Sequence, residues 1–247
     1  MMVPVIDLHG HIGAWPQYGW DDDLPGLVAS MDRAGVDAVC LFYMTQSDAP
    51  RGNDVTAEAC RRSPGRFIGF AFVTPHYPEE MVPELERCFD RLDMRGIKLY
   101  PRYTKLPLTA PEWQPIFAFA NERGVPLIIH APPDPFLGLA QQYPRASWII
   151  AHAGGGPEGR AKSVQVARQV PNIFLEICSS SRNLGSIEQL VRGAGADRVL
   201  YGSDVALFSP ALQLGRIMTA DLTPEEKRLV VGGNALRLLG EDVLQAR

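Results

Sequence analysis

The stretch VIDLHGHIG (5–13) sets two of the chain's five histidines, His9 and His11, one residue apart at the end of an apolar run. Residues two apart on a strand share a face, so Asp7, His9 and His11 are expected to look the same way. Two imidazoles so placed can offer nitrogen lone pairs to one ion about 2.0–2.1 Å away. Asp7, one step deeper, would orient a ligand or bury itself in a hydrogen bond. An H-x-H pair also serves to satisfy local hydrogen bonds, so a metal site needs further ligands from elsewhere in the chain.

Three more polar groups fall in matching places. His130 closes the run PLIIH (126–130), His152 closes SWIIAH (147–152) and Asp204 closes RVLYGSD (198–204). Each sits at the C-terminal edge of an expected strand. Gathering four imidazoles and a carboxylate in one buried place would leave costly unpaired polar groups. A divalent ion coordinated by nitrogen and oxygen removes that cost.

The elements that must position these groups are legible as eight short runs rich in β-branched and apolar residues: 3–7, 36–42, 67–73, 96–100, 126–130, 147–152, 172–178 and 198–204. Most are continuously hydrophobic, as strands of a parallel sheet buried on both faces are. Helical periodicity fills 24–35, 54–65, 78–92, 111–124 and 185–195. Gly35, Gly65, Gly124 and Gly195 are expected as left-handed C-caps, and Thr109 and Thr223 as N-caps ahead of proline. Eight βα units in a chain of 247 residues predict one α/β domain over 1–247, a closed (β/α)8 TIM barrel whose site lies at the strands' C-terminal ends. A doubly wound open sheet would carry a glycine-rich phosphate turn after its first strand, where this chain reads H-G-H-I-G.

A net charge of -4 gives no nucleic-acid surface or polybasic membrane patch. No apolar run reaches the ~18 residues of a membrane span, and no signal peptide is evident, so a cytoplasmic location is expected. Cys40, Cys60, Cys88 and Cys178 are scattered, which suits reduced thiols.

DLHGH at the first strand, IIHA at the fifth, AHAGG at the sixth and YGSD at the eighth together resemble the amidohydrolase superfamily. The nearest likeness is the amidohydrolase-related group that includes aminocarboxymuconate-semialdehyde decarboxylase and pyrone-dicarboxylate lactonase. The tail LTPEEKRLVVGGNALRLLG (222–240) is similar to that group's closing helix. The resemblance implies that His9, His11, His130 and Asp204 hold one divalent metal, with His152 beside the metal-bound water as acid or base and Asp204 catalytic as well as ligating. Three imidazoles and a carboxylate suit Zn best, with Mn, Fe, Co and Ni compatible. Lys98 bridges two metals as a carbamate in binuclear relatives; in this group its expected partner is Asp204 or a substrate anion. Glu176, on the seventh strand, would stand behind the ligands or serve structure. A homodimer is also implied.

For the substrate, Arg51, Arg102 and Arg182 follow the second, fourth and seventh strands, and forked guanidinium groups suit carboxylates. Tyr100, Trp15, Tyr18, Trp20 and Tyr43 are candidate pocket walls, and His76 a candidate contact. After its last aspartate the chain reads GSDVALFSP, where many relatives carry an aromatic residue and proline. The leading functional reading is hydrolysis, by a metal-activated water, of an ester, lactone or amide in a small carboxylate-bearing molecule. The same site suits non-oxidative decarboxylation of a muconate-like or aromatic acid. A barrel that only binds a ligand is the third reading.

Overall fold

A computed structural model describes residues 3–15, 19–20, 23–44, 48–178 and 183–245. Eight parallel strands pair in strict chain order: β1 (Ile6–His11), β2 (Ala38–Phe42), β3 (Phe67–Phe72), β4 (Gly96–Leu99), β5 (Pro126–Ile129), β6 (Ser147–Ile150), β7 (Ile173–Glu176) and β8 (Val199–Leu200). Helices fill the connections: α1 (Leu24–Ala34), α2 (Ala49–Arg62), α3 (Pro78–Arg91), the single turn α4 (Pro101–Thr104), α5 (Gln114–Arg123), α6 (Phe136–Gln142), α7 (Pro157–Ala167), α8 (Ser186–Ala194) and α9 (Pro210–Thr219). The short helices α10 (Pro224–Arg228) and α11 (Asn234–Leu239) close the chain. This is the expected (β/α)8 barrel.

Two apolar layers explain the continuous hydrophobic runs. Alternate strand residues such as Ala38, Cys40, Phe42, Ile68, Phe70, Ile128 and Ile149 fill the barrel interior, which Ala235 and Leu239 of α11 plug from below. Their neighbours, among them Val39, Leu41, Ile97, Leu127 and Leu175, face outward onto the helices. Gly232 passes so close beneath β1 that a Cβ there would meet the Pro4 carbonyl oxygen at 1.7 Å, which only glycine permits. The expected Thr223 cap is present as a reciprocal capping box with Glu226.

β8 has only two residues, and the barrel closes beyond it. Leu8 N donates to Tyr201 O (2.9 Å), Asp204 N to His9 O (2.8 Å), and Gly10 bridges Val205. That seam lays the end of β1 against the chain leaving β8.

Some expectations need correction. Thr109 does not cap its helix; the position before that turn is Ala110, with no side-chain cap. Gly35 and Gly124 take the left-handed cap, whereas α2 ends at Ser63 and Gly195 takes another positive-φ conformation. α6, α7 and α9 lie outside the segments singled out for helical periodicity. No disulfide joins the four cysteines among the described residues. Among the described residues no helix is long and apolar enough to cross a membrane.

Candidate metal centre

The face-sharing expectation for β1 fails at Asp7, for a structural reason. Asp7 pairs with Val39, but Gly10 pairs with Leu41, so β1 spends one residue more than β2 between these points. This bulge reverses the alternation. His11, paired with inward-facing Phe42, and His9 turn into the barrel mouth, while Asp7 falls on the other face. There its carboxyl accepts from the backbone N–H of His9 (3.0 Å) and Ser203 (2.9 Å) and meets Ser203 Oγ at 2.5 Å. It ties β1 to the β8 exit and does not reach the site. Complete burial pushes its pKa up to about 7.

Across the seam, Asp204 Oδ1 lies 3.3 Å from His9 Nε2 and 2.8 Å from His11 Nε2. These three donors fall within 4.8 Å of one another. Bonds of about 2.0–2.2 Å to one ion set neighbouring donors roughly 3 Å apart, so the spacing fits a divalent cation. One further feature agrees. His9 Nδ1 donates to Glu176 Oε2 at 2.9 Å, which keeps the lone pair on Nε2, the nitrogen facing Asp204.

Glu176 is fully buried and holds more than His9: its carboxylate also accepts from the backbone N–H of His152 (3.0 Å) and Cys178. His152 stands in the left-handed region (φ 58°), so the Glu176 anchor fixes a bend that β6 alone would not make. His152 Nε2 is 3.1 Å from His130 Nδ1, which places His130 against His152 at the rim rather than within the tight His9–His11–Asp204 group. Lys98, inward-facing on β4, donates to His9 Nε2 at 3.0 Å and lies 4.5 Å over the Phe42 ring.

Burial dominates the electrostatics. It lowers the pKa of His9 and His11, and Lys98 and Asp204 act on both in opposite senses. His152 falls to about 4 for the same reason. Burial would raise Asp204, but the adjoining His9 and His11 outweigh it and hold that carboxyl well below the usual carboxylate range. Burial also brings Lys98 down and Glu176 up, while the backbone N–H donors of His152 and Cys178 hold Glu176 toward its ionised form. The site thus presents neutral imidazoles to an ionised Asp204, the protonation states that metal binding requires.

A cavity of about 560 Å³ opens over this group, walled by Trp15, Trp20, Tyr100, Tyr103 and Phe208. Tyr103 and Phe208 were not anticipated; Phe208 stands in the GSDVALFSP segment whose departure from pattern was the available signal. Of the expected substrate residues, Lys98 and Tyr100 line this cavity, and Arg102 lines a groove beside it. Arg51, on α2, opens instead on a separate cleft with Ile12, Leu24 and Asp54. Tyr43 packs under Gly13, and His76 is exposed after β3 without lining the cavity. Arg182 and Tyr18 lie outside the described residues.

The fold and site define a barrel enzyme with its polar groups at the strands' C-terminal mouth. The family model described as amidohydrolase matches residues 6–240, and the chain belongs to that family. The gamma-resorcylate decarboxylase of Rhizobium radiobacter is 27% identical over 130 residues, 50% of this chain and 39% of the relative's length. The 2-amino-3-carboxymuconate-6-semialdehyde decarboxylase of Dictyostelium discoideum is 23% identical over 77% of this chain and 66% of its own length. The matches thus span about two fifths to two thirds of these curated relatives. A crystal structure of 5-carboxyvanillate decarboxylase from Novosphingobium aromaticivorans, with manganese and 4-hydroxy-3-methoxy-5-nitrobenzoic acid, superposes with a TM-score of 0.80 at 19% identity, covering 96% of each chain.

These comparisons correct the hydrolytic reading. Both curated relatives are decarboxylases by name. The motifs identify the metal-type site but carry no information on which bond breaks. Zn is likewise not singled out, since the neighbouring structure holds manganese.

Proposed function

We propose that this protein is a metal-dependent, non-oxidative decarboxylase of an aromatic or muconate-like carboxylic acid. The observation that carries the reading is the ring of aromatic walls around the His9–His11–Asp204 group, which suits a planar acid set edge-on to the donors. The decarboxylase relatives support it.

In this reading His9, His11 and Asp204 hold the cation, and His130, lining the same cavity, completes the set. When bound, the cation would supply positive charge beside the substrate's acid group. Glu176 keeps His9 in the ligating tautomer. Lys98, fully buried beside His9, balances the anionic substrate without water. The bond to the carboxyl carbon breaks, its electron pair stays on the ring or vinyl carbon, and that carbon takes a proton. His152, which lines the cavity, is the carrier: its ring takes up a proton from water at the mouth, passes it to that carbon and returns to the neutral form.

The test is direct. Purified protein loaded with Mn²⁺ is given carboxyl-¹³C-labelled 2,6-dihydroxybenzoate, 5-carboxyvanillate and 2-amino-3-carboxymuconate semialdehyde. Labelled carbon dioxide from at least one acid, with the matching decarboxylated product, is expected. Protein with stoichiometric metal that releases none from any of them would overturn the proposal.

A further inference from the structure

The cavity over the donors is not the whole site. Through Tyr100, His130, His152 and Asp204 it runs into a second, larger groove of about 1280 Å³ between the exits of β4, β5 and β6. Pockets that enclose a whole drug-sized ligand measure about 300–1,000 Å³, and a single-ring acid needs far less than the first cavity alone provides. Two chambers therefore share these four residues.

The groove's wall has a definite chemistry. Leu106, Pro107, Leu108, Pro132 and Pro135 make it apolar and stiff, since proline holds its backbone in place. Arg102, on α4, and Lys105, its left-handed C-cap residue (φ 56°), add two cations. Both side chains are exposed, and neither has a carboxylate partner among the described residues. Of the two acids that line the groove, Asp204 stands at the end shared with the first cavity, and Asp134 is already paired with Lys162 at 3.3 Å. The groove is thus apolar in body with an uncompensated positive end, complementary to an anion and continuous with the reacting centre.

We propose that this groove holds the distal part of the substrate: a flat apolar body, a second ring or its equivalent, ending in an anionic group that Arg102 and Lys105 receive. The inference rests on the decarboxylase reading for what happens in the first cavity and adds the size and second charge of the molecule. The substrate is longer than the single-ring acids named for the relatives, with the departing carboxylate at Asp204 and the other acid beyond His130.

Binding tests this without turnover. The probes are 3′,5′-dihydroxybiphenyl-4-carboxylate, which has no carboxylate to lose from its dihydroxy ring, and its uncharged 4-carboxamide. Calorimetry on the Mn²⁺-loaded full chain is expected to favour the acid over the amide by about tenfold, as charge-assisted contacts at an exposed site provide. In the double variant Arg102→Ala/Lys105→Ala that preference should vanish, and in Arg102→Lys it should persist. Equal binding of acid and amide by the unaltered protein would overturn the proposal, as would a preference that survives the double alanine variant. So would a change in sedimentation, rather than in ligand preference, for Arg102→Glu, because the groove would then be a contact between copies of the chain. Carbon dioxide release from the single-ring acids is scored separately. Its absence alongside the expected binding pattern sinks the decarboxylase reading and leaves the groove's assignment standing, and its presence without that pattern does the reverse.

Discussion

Glu176→Gln is the sharpest probe of how the centre is built, because it keeps the shape and removes one charge. In the native protein Oε2 accepts from His9 Nδ1 at 2.9 Å and His152 N at 3.0 Å, and Oε1 accepts from Cys178 N. A carboxylate can accept on both oxygens; an amide has one acceptor and one donor. If the amide oxygen keeps the two Oε2 bonds, the NH₂ faces the N–H of Cys178, and one buried backbone donor loses its partner. That omission costs about 1–3 kcal/mol. If the amide turns round, two donors are left instead, and His9 loses the acceptor that fixes its tautomer. The first arrangement leaves His9 an uncharged, weaker acceptor and the second leaves it none, and disturbing such a partner typically lowers metal affinity by about 10–100-fold. Two measurements on one preparation check this: chelator-competition titration with Mn²⁺ or Zn²⁺, and urea unfolding of the metal-free protein. The variant is expected to lose about 1–3 kcal/mol of stability together with at least tenfold in metal affinity. Gly202→Ala should behave alike without touching an acid, since a Cβ at Gly202 would fall 2.1 Å from Glu176 Oε1 and push the carboxylate aside. If Glu176→Gln binds metal as tightly as the unaltered protein, Glu176 does not position His9, and the site as described is wrong.

Asp7→Asn should change the pH dependence of stability. The native carboxyl has a folded pKa of about 7, above its ordinary value of 3.8. Its contribution is therefore fully present below pH 3.8 and is lost as pH rises through about 7. At about 1.36 kcal/mol per pKa unit the loss amounts to a few kcal/mol. The asparagine variant should lack that slope in metal-free urea unfolding between pH 4 and 7; an unchanged slope would assign it to another group. His152→Ala and His11→Ala should separate proton handling from metal holding. The first is expected to keep its metal and lose turnover by about 10²–10⁴-fold. The second is expected to lose metal affinity first, and equal metal loss in both would make His152 a ligand.

The sequence by itself determined the barrel and the edge on which the site would lie. Near-continuous apolar runs at βα spacing leave a parallel sheet buried on both faces, and the polar residues that close the first, fifth, sixth and eighth runs fall at their strands' C-terminal ends. That placed His9, His11, His130, His152 and Asp204 around one mouth, and all five line one cavity. Only the tertiary structure decided which of them touch. The bulge between Asp7 and Gly10 sends Asp7 to the wrong face for the site, an outcome set by register against β2. The seam from Tyr201 to Val205 presses Asp204 onto the His9–His11 pair across nearly two hundred residues of chain. Glu176 reads as one polar residue in a buried strand until the fold brings His9, His152 and Cys178 to it. The reaction was hidden for a related reason: a donor set is fixed by a few residue types at strand ends, whereas the bond that breaks depends on walls such as Trp15, Tyr103 and Phe208. Those walls come from separate loops, and no local pattern couples them.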